Sequence, residues 1–259
     1  MPSIRVDDVN LYYEVHGTGP HVVLCHGIGS NRLHWWQQVC ALRDSYTVVI
    51  YDQRGFGSSS SGERGPAAFT DDLMALVDHL QIKRTALLGQ SLGGLAAAGF
   101  ASRKPDRVTA LILSNSGAGF VPMTPPPQIA AAAKVARNYL ELLPAFIAQD
   151  KFRERHPKRA YLFESMAQLN AGFDIRGLGE LATIRPDIAP IIAAHIPVLF
   201  IAAQDDERAS MAMKQACELI PDSKVETIAN AGHLAFFEEP ENYNRIVLQF
   251  LNKHAGLCG

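Results

Sequence analysis

Four short apolar runs constrain this chain more than any other feature: "HVVLCHG" from His21, "YTVVIYD" from Tyr46, "TALLGQ" from Thr85 and "TALILSN" from Thr109. None alternates polar with apolar residues, so each reads as a strand buried on both faces. Such strands need cover on two sides. Helix-length segments between them supply it: "RLHWWQQVCAL" from Arg32, "PAAFTDDLMALVDHL" from Pro66 and "LGGLAAAGFASRKP" from Leu92. Strand and helix taking turns predicts an α/β fold, a mostly parallel central sheet flanked by helices. Ahead of the first run, "IRVDDVNLYYEVHGTG" alternates in part and ends in glycines, which predicts a strand hairpin.

The rhythm breaks after Asn115. Residues 120–196 open with "FVPMTPPPQ" and continue through "IAAAAKVARNYLELLPAFIAQDKF" and "YLFESMAQLN", helical in pattern and without a clear strand. Sheet rhythm then resumes in "PVLFIAAQDD", "MAMKQACELI" and "SKVETIA", with a last helix from about Glu241 to Lys253. The expected organisation is one α/β core made of residues 1–119 and 197–259, with residues 120–196 inserted as a helical cap.

Composition narrows the class. The chain has 259 residues, 47% of them hydrophobic and 19% charged, which suffices for one large core. A net charge of -2 with scattered Lys and Arg argues against a nucleic-acid partner. No apolar run approaches the about 20 residues that a membrane helix needs, and acidic residues interrupt the N-terminal stretch. The expectation is a soluble, cytoplasmic protein that meets a small molecule and no membrane. The four cysteines show no CxxC spacing and the nine histidines no HExxH, so neither a metal nor a cofactor is expected.

"TALLGQSLGG" places one serine, Ser91, between Gly89 and Gly93 at the end of a buried run. Glycine two residues away on each side suits a strained strand-to-helix turn, where side chains would collide. That turn holds the hydroxyl out at the carboxyl edge of the sheet. A serine hydroxyl is a poor nucleophile at neutral pH and needs a base and an orienting carboxylate. "NAGHLAFFEEP" offers His233, just after an expected strand; His16, His21, His79, His156, His195 and His254 sit less favourably. "VLFIAAQDDERAS" offers Asp205 and Asp206 at the end of another strand, one to orient the histidine and the other to cap the following helix.

Four segments, "HGIGSN" from His26, "YDQRGFGSS" from Tyr51, "GQSLGG" from Gly89, and "AAQDD" paired with "AGH", occur in an order that resembles the α/β-hydrolase fold superfamily. The likeness is to its small single-cap serine hydrolases, which include esterases, enol-lactonases and carbon-carbon bond hydrolases. It spans the core and leaves the cap without a specific motif. Two positions depart from the pattern: Ala203 where many relatives have glycine, and Ser210 near a usual proline. The resemblance implies Asp206 as the acid, with Asp205 as the alternative, in the chain order Ser91, Asp206, His233. It also implies an oxyanion hole from the backbone N–H groups of Leu92 and Ile28. Gly27 would bring that loop close to substrate, and Trp35 and Phe120 are candidate pocket residues. Asp52 and Arg54 in the "DQRGFGSSS" turn are expected to pair with each other, and that turn matches neither GxGxxG nor GxxxxGK[ST].

The expected reaction is acyl transfer to water, with a small apolar carboxylic ester or lactone as substrate. Serine at the elbow argues against the dehalogenase and epoxide hydrolase chemistries, which use aspartate there on this fold. A carbon-carbon hydrolase of a vinylogous diketone, an acyltransferase and a non-catalytic ligand receptor are the alternatives. The residues do not specify an oligomeric state.

Overall fold

A computed structural model describes residues 2–122, 131, 136, 141, 151–170, 179–181 and 183–256. The expected helical stretch from Ile129 lies almost wholly outside the described residues, as do the cap residues Met123, Tyr139, Phe146 and Phe173.

Eight strands form one sheet: β1 Ser3–Val6, β2 Val9–His16, β3 His21–Cys25, β4 Thr47–Tyr51, β5 Thr85–Gln90, β6 Val108–Ser114, β7 Val198–Ala203 and β8 Lys224–Ile228. Their order is β1-β2-β4-β3-β5-β6-β7-β8. The β1/β2 hairpin is antiparallel and β2 meets β4 antiparallel; every other pairing is parallel. The continuous apolar runs explain the centre of the sheet, since every residue of β5 and β7 is buried. At the far edge β8 leaves Lys224, Glu226 and Thr227 exposed, a charged edge that discourages pairing with another chain.

Helices cover both faces. They are α1 Trp36–Leu42, α2 Phe69–His79, α3 Gly93–Arg103, α4 Phe152–Arg155, α5 Pro157–Ala167, α6 Ala189–Ala193, α7 Glu207–Leu219, α8 Ala235–Glu238 and α9 Pro240–His254. Small residues decide how close α3 comes to its neighbours. A Cβ on Gly99 would sit 2.2 Å from Thr70 Oγ1, just inside α2. Proline opens α5 and α9, where its missing N–H costs the helix nothing. Among the described residues no helix is long and apolar enough to cross a membrane.

The structure corrects two expectations. Asp52 and Arg54 do not pair with each other: Asp52 holds Arg32 at 2.6 Å, while Arg54 grips Asp72 with two 2.6 Å bonds. The chain leaves β4 at Tyr51 and turns at Arg54 and Gly55, which carries the two side chains to separate partners. Trp35, a candidate pocket wall, is fully buried, its ring centroid 4.6 Å from that of Phe236. It packs the core beneath the loops. The next residue, Trp36, opens α1 and is half-exposed.

Because β3 to β8 run parallel, their carboxyl ends share one edge. The residues that follow Cys25, Gln90, Ser114, Ala203 and Ile228 are thereby gathered there, although more than 200 positions separate the first from the last.

Candidate active site

Ser91 sits at the turn from β5 into α3 with φ +49, in the left-handed region that a non-glycine residue avoids. Such a conformation costs about 1–3 kcal/mol and persists only when its surroundings impose it. Here they do. Ser91 N–H donates to Ser114 O at 2.9 Å, and its carbonyl accepts from Gly94 N–H at 3.0 Å and from Ser116 Oγ at 2.7 Å. The flanking glycines let strand and helix approach: a Cβ on Gly93 would lie 2.1 Å from Cys25 O, and one on Gly89 2.5 Å from Gly93 O. The Ser91 residue is left partly exposed.

His233 and Asp206 reach the serine from the loops after β8 and β7. His233 Nε2 lies 2.9 Å from Ser91 Oγ and its Nδ1 lies 2.6 Å from Asp206 Oδ2. Facing a carboxylate, Nδ1 carries the proton, which leaves Nε2 as acceptor for the serine hydroxyl. Asp206 performs both duties that the sequence divided between two aspartates. Its Oδ2 takes His233 while its Oδ1 caps α7 through Ala209 N–H at 3.2 Å. Burial alone would raise the Asp206 carboxyl, but the His233 charge and hydrogen bonds from His233, Asn115 and Ala209 hold it below the usual carboxylate range. Asp205 turns instead to Arg155 of α4. The two departures from the pattern meet across this loop, where Ser210 Oγ of α7 donates to Ala203 O at the end of β7, at 2.9 Å.

The loop after β3 carries Gly27 and Ile28. A Cβ on Gly27 would fall 2.0 Å from Gln90 Oε1 and 3.1 Å from Ser91 Cβ, so a larger residue here would have to displace the Gln90 amide. Among the described residues neither Ile28 N–H nor Leu92 N–H donates to the protein. No described residue therefore competes with an external acceptor at either N–H. Phe120, the remaining pocket candidate, is partly buried against the core.

Two buried histidines hold that loop. His26 Nδ1–H donates to Gly27 O at 2.9 Å, and its Nε2 accepts from Gln53 N–H at 3.0 Å. His34 Nδ1 accepts from Asn31 N–H at 3.0 Å and its Nε2–H donates to Phe163 O of α5 at 3.2 Å. Burial lowers His26 to about 4 and His34 to about 3, so both are neutral in this network. Asn170 ties the same loop to the segment between β6 and β7, bonding Ser30 O and Asn31 Nδ2 at 3.1 Å and Gly57 N–H at 3.0 Å.

The histidines predict acid sensitivity. His26 keeps its folded pKa near 4 against about 6.5 unfolded, so between those values the unfolded chain binds a proton that the native state refuses. Stability therefore falls as the pH drops through this window. At pH 4 the loss from His26 alone is on the order of 3 kcal/mol. Urea unfolding from pH 7 to 4 checks this: the decline is expected to be shallower in His26→Gln, and equal slopes would contradict the assignment.

Three residues around the site were missed by the sequence reading. Asn115, just past β6, donates to Asp206 Oδ2 at 2.9 Å; Ser116 braces the Ser91 carbonyl; Gln90 donates to His233 O at 3.1 Å. Their common signal was available, since each polar residue ends a buried strand or lies within two positions after it, at the site's edge. A cavity of about 700 Å³ lies elsewhere, lined by Val198, Leu199 and Lys224 at the opposite ends of β7 and β8. It is remote from Ser91. Among the described residues no group of three metal-ligating side chains gathers.

A sheet of this order with a serine elbow at its carboxyl edge has known counterparts. The sequence model of the alpha/beta hydrolase family matches residues 22–246. The chain belongs to the alpha/beta hydrolase family. It is 30% identical to "3-oxoadipate enol-lactonase 2" of Acinetobacter baylyi, an alignment covering 95% of this chain and 94% of that protein. A thermophilic esterase from Thermogutta terrifontis is 27% identical, with a TM-score of 0.79 over 98% of this chain and 99% of that one. A meta-cleavage product hydrolase from Pseudomonas fluorescens has a TM-score of 0.82 over 98% of both chains at 20% identity, a likeness of fold alone. This member of the alpha/beta hydrolase family is a hydrolase.

Proposed function

We propose that Ser91, His233 and Asp206 form the catalytic triad of a serine hydrolase acting on a small carboxylic ester or lactone. The observation that carries this reading is the unbroken line from Ser91 Oγ to His233 Nε2, 2.9 Å, and from His233 Nδ1 to Asp206 Oδ2, 2.6 Å. Ser91 Oγ attacks the substrate carbonyl as His233 removes its proton, and Asp206 stabilises the resulting imidazolium. Negative charge develops on the carbonyl oxygen, which the N–H groups of Ile28 and Leu92 receive, aided by the positive end of α3. His233 then protonates the departing alkoxide. A water molecule, deprotonated by His233, attacks the acyl-enzyme and releases the carboxylic acid, returning the proton to Ser91. A lactone differs only in that the alkoxide remains attached to the acyl group. No step uses a metal or cofactor.

Residues 120–196 would act as a cap over this site, with α5 held to the loop after β3 by His34, and Asn170, just beyond α5, held to it by Ser30 O. The relatives named as an enol-lactonase and an esterase support the choice of ester or lactone. The test is turnover of three small substrates: an aromatic acetate ester, an enol-lactone and a vinylogous diketone. Hydrolysis of the first or second, with the third untouched, is expected. Exclusive cleavage of the diketone would replace this reading by a carbon-carbon hydrolase, and failure of all three would favour a ligand receptor.

A further inference from the structure

Gln90 ends β5, with its backbone in register with Ser114 of β6 and its side chain buried. That side chain does not join the sheet. Its Nε2 donates to the backbone carbonyl of His233 at 3.1 Å. On its other side Oε1 faces the loop after β3, occupying space that any side chain at position 27 would need. The amide is therefore wedged among the serine turn, the histidine loop and the loop that carries Ile28. Turning it over would set Oε1 against the His233 carbonyl, acceptor against acceptor, so its orientation is determined.

We infer that Gln90 is a positioning residue, which fixes the main chain of His233 so that the imidazole spans Ser91 and Asp206. The inference rests on the triad reading above. Two further tethers of this loop act before His233: Asp205 N–H donates to Ala231 O at 2.9 Å, and Gly232 N–H donates to Glu238 Oε1 at 3.0 Å. Gln90 holds the loop at the histidine itself. An imidazole with 2.9 Å and 2.6 Å bonds at its two nitrogens has little freedom, because a displacement that lengthens one disturbs the other. A group that merely satisfied a buried carbonyl would affect stability and leave the chemistry of Ser91 unchanged.

Gln90→Met and Gln90→Glu in the full chain separate these roles. Methionine is similar in length but has no donor. Glutamate donates through its carboxyl hydrogen when protonated and repels the His233 carbonyl when ionised. The readouts are the second-order rate of Ser91 labelling by a small fluorophosphonate against pH, and kcat and KM for an ester. Gln90→Met is expected to label roughly ten- to hundredfold more slowly, with kcat reduced and KM near that of the wild type, because misplacement acts on the transition state. Gln90→Glu is expected to lose labelling rate as the pH rises through a range where the wild type is level. A folded Gln90→Met that labels at the wild-type rate with the wild-type pH profile overturns the inference. Should that variant fail to fold, a Gln90→Glu profile coincident with the wild type overturns it instead. A wild type that does not label at all refutes the triad reading, an outcome distinct from equal labelling of wild type and variants.

Discussion

Ser91→Ala is expected to take up no fluorophosphonate and to lose roughly 10⁴- to 10⁶-fold in kcat, since the covalent route through the acyl-enzyme disappears. Intact mass after exposure to the reagent gives the answer directly. One adduct on the wild type and none on the variant ties the activated nucleophile to Ser91; an adduct that persists on the variant places it elsewhere. A companion change isolates the strain at this turn. Ser91 has φ +49, which glycine adopts without penalty, so Ser91→Gly is expected to be inactive yet more stable by about 1 kcal/mol. Thermal unfolding of the two variants makes the comparison, and a Gly variant less stable than Ala would show that the conformation carries little strain. The serine is held where it can react, at a cost in stability that the neighbouring hydrogen bonds offset.

The second large effect separates two adjacent aspartates. Asp206→Asn keeps the size of the side chain and an oxygen able to cap α7, but removes the carboxylate that fixes the His233 tautomer and stabilises its cation. Its kcat is expected to fall by about 10⁴-fold with little change in unfolding temperature. Asp205→Asn disturbs the ion pair with Arg155 on α4 and leaves the His233 bond intact, so kcat is expected to stay within about tenfold of the wild type. Steady-state kinetics of both variants decide the matter. A greater loss in Asp205→Asn than in Asp206→Asn would reverse the assignment. The lowered pKa of Asp206 adds a sign: its contribution to stability is present above the unfolded carboxylate value and is lost as the pH falls through the folded one.

Much of the architecture was legible because buried parallel strands have a recognisable pattern. β3, β4, β5 and β6 coincide with the four apolar runs, for a strand covered on both faces cannot alternate. The glycines around Ser91 were legible for a related reason, as their absent side chains are required by neighbours close in sequence. Arg54 shows where this reasoning fails. Its partner Asp72 is 18 residues away on α2, whereas sequence proximity had suggested Asp52. Trp35 fails similarly, since only the packing of α8 shows that Phe236 covers its ring. The division of labour at Asp206 was hidden because a carboxylate has two oxygens, and nothing in "QDD" says that one residue uses both.

From the sequence alone came the parallel sheet, the serine turn and the candidate partners Asp206 and His233, because strand burial and tight turns are local demands written into residue type. Only the tertiary structure decided which aspartate meets the histidine, that Asn115 supports it, and that Gln90 holds the histidine loop. Those contacts join residues 27 to 143 positions apart, and their geometry depends on how strand ends are set side by side by the sheet. Hydrogen bonds act over about 3 Å, a precision that hydrophobic pattern does not encode and that the packed core supplies.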